Sequence, residues 1–398
     1  MSNVEHKERP GAGHDSGAAM KVGWETKPLG DLCMVIGGGT PSKNVDEYYT
    51  GHIPWATVRD MRSEIITETE CTITKEAVKN SATNIVPAGN VVIATRVGLG
   101  KICLIAQDTA INQDLRGIVP NNPNKLAVGF LHLWLKSIAH LIVAEGTGAT
   151  VQGVKLPFIK SLKIPLPPLS EQQRIVAILD EAFAGIATAK ANAEKNLLNA
   201  RAVFESYLAA VFSQRGAGWV ETTLDKLSTN LDNKRIPITK SDRSSGKYPY
   251  YGASGIVDYV NNYIFDGDTL LISEDGANLI ARSTPIAFSV SGKYWVNNHA
   301  HILKFNNMAT QKYIEFYLKS IKLDEFITGT AQPKLNQKAL NSIPIPIPNS
   351  IDAQAKIVNC IELLMAETQR LESIYQQKLV ALEALKKSLL QRAFCGEL

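Results

Sequence analysis

A chain of 398 residues is long enough for two or three domains. Its composition, 45% hydrophobic and 20% charged with no apolar run able to span a bilayer, is that of an ordinary soluble protein and suggests no membrane role. The net charge of +4 excludes a globally basic surface, so any nucleic-acid footprint has to consist of local patches.

Residues 1–19 are rich in Gly, Ser, His and charge and lack the apolar core of a signal peptide. They cannot bury enough surface to fold and read as a disordered tail ahead of Met20. The chain then repeats itself. Gly23-Trp24-Glu25-Thr26-Lys27-Pro28-Leu29 returns as Gly218-Trp219-Val220-Glu221-Thr222-Thr223-Leu224, and the apolar stretch from Leu169 to Phe212 returns as Ile351 to Phe394. The repeat predicts a globule over 20–168, a long helix over 169–215, a second globule over 216–349 and a second helix over 350–398.

Within the globules the apolar runs are short and bounded by turn residues: Asn90 to Thr95, Lys101 to Ala106, Asp268 to Ser273 and Ile286 to Val290. They predict α/β (α+β) globules with strongly curved sheets. Each globule ends in alternating prolines, Ile164-Pro165-Leu166-Pro167-Pro168 in the first and Pro344, Pro346 and Pro348 in the second. Proline denies the backbone its helical hydrogen bonds there, and Ser170 then stands as an N-cap. The first helix carries a stripe at Ile175, Leu179, Ala182, Ile186, Ala189, Ala193, Ala200, Val203 and Tyr207. The second carries Ile357, Ile361, Leu364, Leu371, Tyr375, Leu382, Leu385 and Leu389. One stripe is Ala-rich and the other Leu-rich, so the expectation is an antiparallel coiled coil of two helices, each ~60 Å long, that separates the globules and leaves one at each end.

Catalytic signatures fail one after another. Gly37-Gly38-Gly39 before Thr40-Pro41-Ser42-Lys43 misses the phosphate-loop spacing, and Pro41 removes a needed donor. Asp266, Asp268, Glu274 and Asp275 read as solvated turn residues and not as a nuclease cluster. His299 and His301 alternate across a strand and so point to opposite faces. The five cysteines, Cys33, Cys71, Cys103, Cys360 and Cys395, are scattered without metal-ligand spacing, which fits a reducing cytoplasm and predicts no metal site. No methyltransferase cofactor loop or Asn-Pro-Pro-aromatic tetrad occurs, so the chain reads as noncatalytic.

DNA readout needs cations for phosphates and planar amides or guanidinium groups for base edges. The first globule offers Thr40, Lys43, Arg59, Arg96, Lys101, Asn112 and Gln113 in or beside loops. The second offers Lys234, Arg235, Arg243, Lys247, Arg282, Lys293, Asn297, Asn298, Gln332 and Lys334. Tyr248, Tyr250 and Tyr251 read as packing residues, because duplex DNA hides its base faces.

Several segments resemble one family when taken in order. Ile53-Pro54-Trp55 with Arg59-Asp60-Met61, Val97-Gly98-Leu99-Gly100-Lys101 and Ile111-Asn112-Gln113-Asp114 look like the target-recognition domains of the specificity subunit of type I restriction-modification enzymes. The second globule matches at Tyr248-Pro249-Tyr250-Tyr251-Gly252-Ala253-Ser254-Gly255, at Glu274-Asp275-Gly276-Ala277-Asn278 and at Trp295-Val296-Asn297-Asn298-His299-Ala300-His301. Glu171-Gln172-Gln173-Arg174-Ile175-Val176 and the ending Phe394-Cys395-Gly396-Glu397-Leu398 resemble the family's helical regions. The resemblance implies that each globule reads one half of an asymmetric bipartite site in double-stranded DNA, while the helices set the spacer and dock two methyltransferase subunits, which restriction (nuclease-translocase) subunits then join. It implies that S-adenosylmethionine, ATP and magnesium belong to those partners, and that the helix starts, with Glu171, Gln172, Gln173, Arg174, Gln354 and Lys356, carry partner contacts. The second start departs from the first, with Ala353-Gln354 where the first has Glu171-Gln172, which weakens one helix start or one partner contact. Two rivals predict different behaviour: an interaction scaffold would bind protein without DNA sequence preference, and a stand-alone nuclease would cleave with magnesium alone.

Overall fold

In each globule the repeated opening segment pairs with the proline-rich segment. Glu25–Pro28 runs antiparallel to Lys163–Leu166 with Thr26 opposite Pro165, and Trp219–Thr222 runs antiparallel to Ile345–Pro348 with Glu221 opposite Pro346 and Trp219 opposite Pro348. Each pair is a separate two-stranded sheet, so every strand in it is an edge. Prolines at alternate positions turn their nitrogens to the open edge, where no ladder bond is lost. The residues that stop the strand from becoming helix therefore also tie the start of each globule to its end.

The computed structural model describes residues 23–146, 153–329 and 332–398, and the tail expected at 1–19 lies outside them. Two sheet-rich regions are separated along the chain by a 45-residue helix, Leu169–Ser213, and a second 45-residue helix, Ile351–Cys395, follows the second region. The chain divides into two units, one of residues 1–191 with 379–398 and the other of residues 192–378, so both long helices contribute to both units.

The first unit holds a five-stranded sheet in the order Cys33–Gly37, Leu115–Pro120, Val91–Ala94, Ile102–Ile105, Ile65–Ile66. A four-stranded sheet is ordered Cys71–Ile73, Ile53–Ala56, Thr109–Ile111, Asn84–Val86. The central strands Val91–Ala94 and Ile102–Ile105 are buried on both faces, which explains why they are continuous apolar runs. Val91, Ile93 and Ile102 pack toward the Val128–Ser137 helix and the long helices, whereas Val92, Ala94, Cys103 and Ile105 join a separate core on the other face. The second unit repeats the plan with the order Ser228–Asn230, Ala300–Phe305, Thr269–Ser273, Ala287–Val290. Leu270 and Ile272 face its helical core and Leu271 faces the opposite one.

Inside each unit the long helices run antiparallel. In the first, contacts step from Arg174 with the Leu398 carbonyl, through Lys386 over the Phe183 ring at 5.0 Å, to Lys190 with Glu383 at 2.8 Å. In the second, Arg201 pairs with Glu372 at 2.5 Å and Tyr207 lies beside Cys360. Ile175, Leu179, Ala193, Ala200 and Ile361 are buried, as the stripes require. Two stripe positions need correction. Val203 is 58% exposed and its place in the seam is taken by Phe204, at 7%; Leu385 is 47% exposed, and its neighbour Lys386 instead sets its ammonium over the Phe183 ring. A strict heptad count drifts by about 20° per repeat on a straight helix, enough to shift the buried position by one residue.

Phe204→Ala is expected to destabilise the second unit by about 3–5 kcal/mol, whereas Val203→Ala should stay within about 0.5 kcal/mol. Urea unfolding of both variants checks this, and equal effects would restore Val203 to the seam.

Candidate nucleic-acid interface

Both long helices begin on a buried glutamine. The Gln172 amide donates to the carbonyls of Lys125 at 2.8 Å and Pro167 at 2.9 Å, and its oxygen accepts the Ala127 N–H at 2.9 Å. Gln354 donates to the Pro348 carbonyl at 2.7 Å and accepts the Thr310 hydroxyl at 2.6 Å. Gln172 and Gln354 are therefore not at the partner-facing surface expected of them; at 0% and 5% exposure they bolt each helix to its globule. Gln173, Arg174 and Lys356 are exposed, and Glu171 binds Arg174 at 2.6 Å. The Ala353 departure leaves the second bolt intact, because Gln354 is the residue that makes it. Gln172→Leu strands one buried and two part-buried backbone partners and should cost about 1–3 kcal/mol or more, against near-neutrality for exposed Gln173→Leu. Denaturant midpoints decide, and a neutral Gln172→Leu would remove its anchoring role.

In the first globule Thr40, Arg96, Asn112 and Gln113 come together. The Thr40 hydroxyl hydrogen-bonds the Gln113 side chain. Arg96 reaches Asp114 at 3.6 Å, and the Asn112 amide donates to the same carboxylate at 3.1 Å. Asn112 is 6% exposed, so it serves as an internal brace for Asp114 and not as a surface amide. Gly38 and Gly39 explain the glycine run: a Cβ on Gly38 would lie 2.0 Å from the Asn112 carbonyl oxygen, and one on Gly39 2.5 Å from the Ala82 backbone. The run is a close backbone crossing. Lys101 reaches the Val58 carbonyl at 3.4 Å, while Arg59 and Lys43 are exposed on neighbouring loops.

The second globule is organised by a buried charge cluster. The Arg235 guanidinium binds Glu274 at 2.6 Å and the Ala300 carbonyl at 2.9 Å, and Lys334 reaches Glu274 at 3.2 Å. His301, 1% exposed, faces the Asp232 carboxylate at 2.6 Å with Nδ1 and the Leu335 carbonyl at 2.7 Å with Nε2. Both partners are acceptors, an arrangement satisfied by a ring that donates from both nitrogens. Burial alone would raise the Asp232 and Glu274 carboxyls; the His301 hydrogen bond in the first and the Arg235 hydrogen bond in the second outweigh it and hold both below their ordinary range. Asp232, Glu274 and His301 have ligand atoms within 4.8 Å of one another, the geometry of a metal site, yet Arg235 and Lys334 already supply its cations. Asp275 pairs instead with His299 at 2.9 Å, so the acidic residues near this strand divide between two different partners.

Three further corrections concern residues expected at DNA. Arg282 turns its guanidinium onto the carbonyls of Leu279, Leu318 and Ile321, held there by the left-handed backbone at φ 51°. Arg235 is committed to the buried cluster. Asn297 is 9% exposed, and its side-chain oxygen accepts the His299 N–H at 2.8 Å. Arg243 stacks over Tyr250 at 4.4 Å and pairs with Asp258 at 3.2 Å; Lys247 lies over Tyr248 at 5.3 Å and Lys293 over Tyr263 at 4.5 Å. These cations keep their charge near the surface on an aromatic base. Lys234, Asn298 and Gln332 are exposed. Sequence reasoning missed Asp114, Asp275 and His299, although the spacing Asn112-Gln113-Asp114 and Asn297-Asn298-His299 was a signal available in the repeat.

The pattern described as "Type I restriction modification DNA specificity domain" matches residues 21–199 and again residues 217–379. The chain belongs to that family. A type I restriction enzyme specificity subunit from Haemophilus influenzae is 37% identical over 145 residues, 36% of this chain and 37% of that relative. The EcoR124I/EcoR124II specificity subunit of Escherichia coli is 35% identical over 175 residues, 40% of this chain and 41% of its own length, so these alignments span about two fifths of each relative. The EcoprrI specificity subunit of Escherichia coli is 24% identical across 89% of this chain and 90% of its own. Among solved structures, a chain from a study of complex assembly and conformational transition of the type I R-M system has TM-score 0.76 at 16% identity, covering 95% of this chain and 99% of that one. The HsdS subunit from Thermoanaerobacter tengcongensis has TM-score 0.65 at 18% identity, covering 95% and 98%. These likenesses confirm the fold. Among the described residues no helix is long and apolar enough to cross a membrane.

One buried group makes the fold of this specificity-subunit chain acid-sensitive. Burial pushes the His132 imidazole down to about 4, with Lys136 adding to the effect and Glu64 opposing it. Its Nε2 has no hydrogen-bond partner and lies 3.7 Å from Glu64, a contact that becomes an ion pair only on protonation. The unfolded ring takes a proton near 6.5 and the folded ring only near 4. Stability is therefore lost as pH falls between those values, by on the order of 3 kcal/mol in all. The depressed Asp232 and Glu274 add a further loss at lower pH, as those carboxylates are protonated. Urea unfolding at pH 7 and pH 4.5 should show this, with His132→Leu losing markedly less than the wild type; an equal loss would refute the assignment.

Proposed function

We propose that this chain is the noncatalytic DNA-reading subunit of a type I restriction-modification complex, and that its two globules each read one half of an asymmetric bipartite target. The observation that carries this reading is internal: the two globules repeat one frame, down to the paired edge strands and the glutamine bolts, while the groups at the strand ends differ. A repeated frame with different polar tips is what two readers of different half-sites require. Arg96, Thr40, Gln113 and Lys101 are the strand-end groups in the first globule, with Lys43 and Arg59 beside them for phosphates. In the second, Lys247, Lys293, Lys234, Asn298 and Gln332 are assigned to the same work. The exposed helix-start residues Gln173, Arg174 and Lys356 are assigned to the modification methyltransferase subunits, of which two would bind the two like helix starts, with restriction subunits joining that assembly. S-adenosylmethionine, ATP and magnesium are assigned to those partners and the complex to the cytoplasm.

Replacing residues 20–165 by the first globule of a relative should change one half of the methylated sequence and leave the other half untouched. Methylation mapping in cells carrying the chimaera with its methyltransferase checks this. A change in both halves, or in neither, would overturn independent reading.

A further inference from the structure

The internal repeat can be aligned atom by atom at the end of the central strand. In the first globule Ala94 pairs with Leu115, the Thr95 N–H donates to the Asp114 carbonyl at 2.8 Å, and the Asp114 N–H donates to the Asn112 side-chain oxygen at 3.2 Å. In the second, Ser273 pairs with Ala300, the Glu274 N–H donates to the His299 carbonyl at 2.9 Å, and the His299 N–H donates to the Asn297 side-chain oxygen at 2.8 Å. The Asn112 N–H bonds the Ala56 carbonyl and the Asn297 N–H bonds the Tyr251 carbonyl, both at 3.0 Å. By this register Arg96 corresponds to Asp275, and Asp114 to His299.

Each position pairs a nitrogen group with a carboxylate across the same two loops, but the partners have exchanged sides. In the first globule the nitrogen group, Arg96, leaves the strand and is 48% exposed, while its carboxylate, Asp114, is recessed at 16%. In the second the nitrogen group, His299, comes from the loop and is 47% exposed, while Asp275 is recessed at 16%. The exchange preserves one arrangement: an outward basic side chain steadied by a sunken carboxylate. Both Asp275 oxygens lie 2.9 Å from His299 Nδ1, so a proton donated from Nδ1 meets an acceptor, and in the neutral ring that tautomer leaves the outer nitrogen, Nε2, as an acceptor.

We propose that His299 is a base-reading residue of the second globule, the counterpart of Arg96, and that its Nε2 accepts from the exocyclic amine of an adenine or cytosine in the major groove. The two readers thus have opposite polarity. The Arg96 fork donates and suits the O6 and N7 acceptors of guanine, whereas the Asp275-held imidazole accepts and suits an amine. This assignment rests on the DNA-reading function proposed above.

The full-length chain, assembled with modification methyltransferase subunits, is presented with a pool of duplexes randomised over both half-sites, and the bound sequences are read. Wild type should favour an amine-bearing base at one position of the second half-site by about tenfold, the size of one good base contact. His299→Ala should lose that preference at that position alone, and His299→Arg should move it toward guanine. Asp275→Asn, which frees the ring, should weaken it. Because His299 is half exposed, its variants should keep the wild-type circular dichroism, and His299→Gln provides a conservative comparison that retains an acceptor. An unchanged motif with His299→Ala, or a uniform loss over all sequences, would overturn the assignment while leaving the DNA-reading function standing. A wild-type assembly that selects no motif at all would instead overturn that function, and this assignment with it.

Discussion

The attachment of each long helix to its globule through one buried glutamine is the constraint on which the rest depends. A carboxamide offers a donor and an acceptor on one rigid plane, and Gln172 uses both to join the helix start to the Lys125 and Ala127 backbone. Gln354 does the same between Pro348 and Thr310. Without such a bond the proline segment would hinge, since prolines supply no N–H to hold it. The paired edge strands and the glutamine together fix the direction in which each helix leaves its unit. Directional control of that kind lets a helix act as part of a reader instead of as a loose tether.

Charge is handled differently in the two globules although the frame is shared. In the first, the strand-end cation Arg96 stands out with its carboxylate behind it, and neighbouring Arg116, half-buried, is pushed down mainly by desolvation and by Arg96. In the second, the strand end carries Glu274, and four partners close around it and Asp232: Arg235, Lys334, His301 and the backbone of Ile302. Removing one member of such a cluster leaves a buried charge unpaired, which costs far more than the cluster contributes when complete. Arg235 and His301 are therefore poor candidates for substitution between relatives of different specificity, whereas His299 and Asn298 lie outside the cluster and can vary freely.

The sequence by itself determined the repeat, the type of each main element and the family. Asn90 to Thr95 and its fellows are strands because apolar runs buried on both faces need no alternation, and the long helices are legible because their stripes persist over many turns. It also determined which residue types could meet DNA. Tertiary structure decided which of them are free to do so, because a side chain's partners come from distant segments. Arg282 finds carbonyls at Leu318 and Ile321, Arg235 finds Glu274, and Gln172 finds Lys125. The seam moved from Val203 to Phe204 for a related reason: helix phase drifts against a counted heptad, and only the packed partner fixes it. The equivalence of Arg96 with Asp275 was hidden as well, since the two differ in charge and are matched only by the hydrogen bonds around them. Local pattern follows from backbone periodicity, which the sequence carries. The pairing of polar groups follows from long-range contact, which only the folded chain creates.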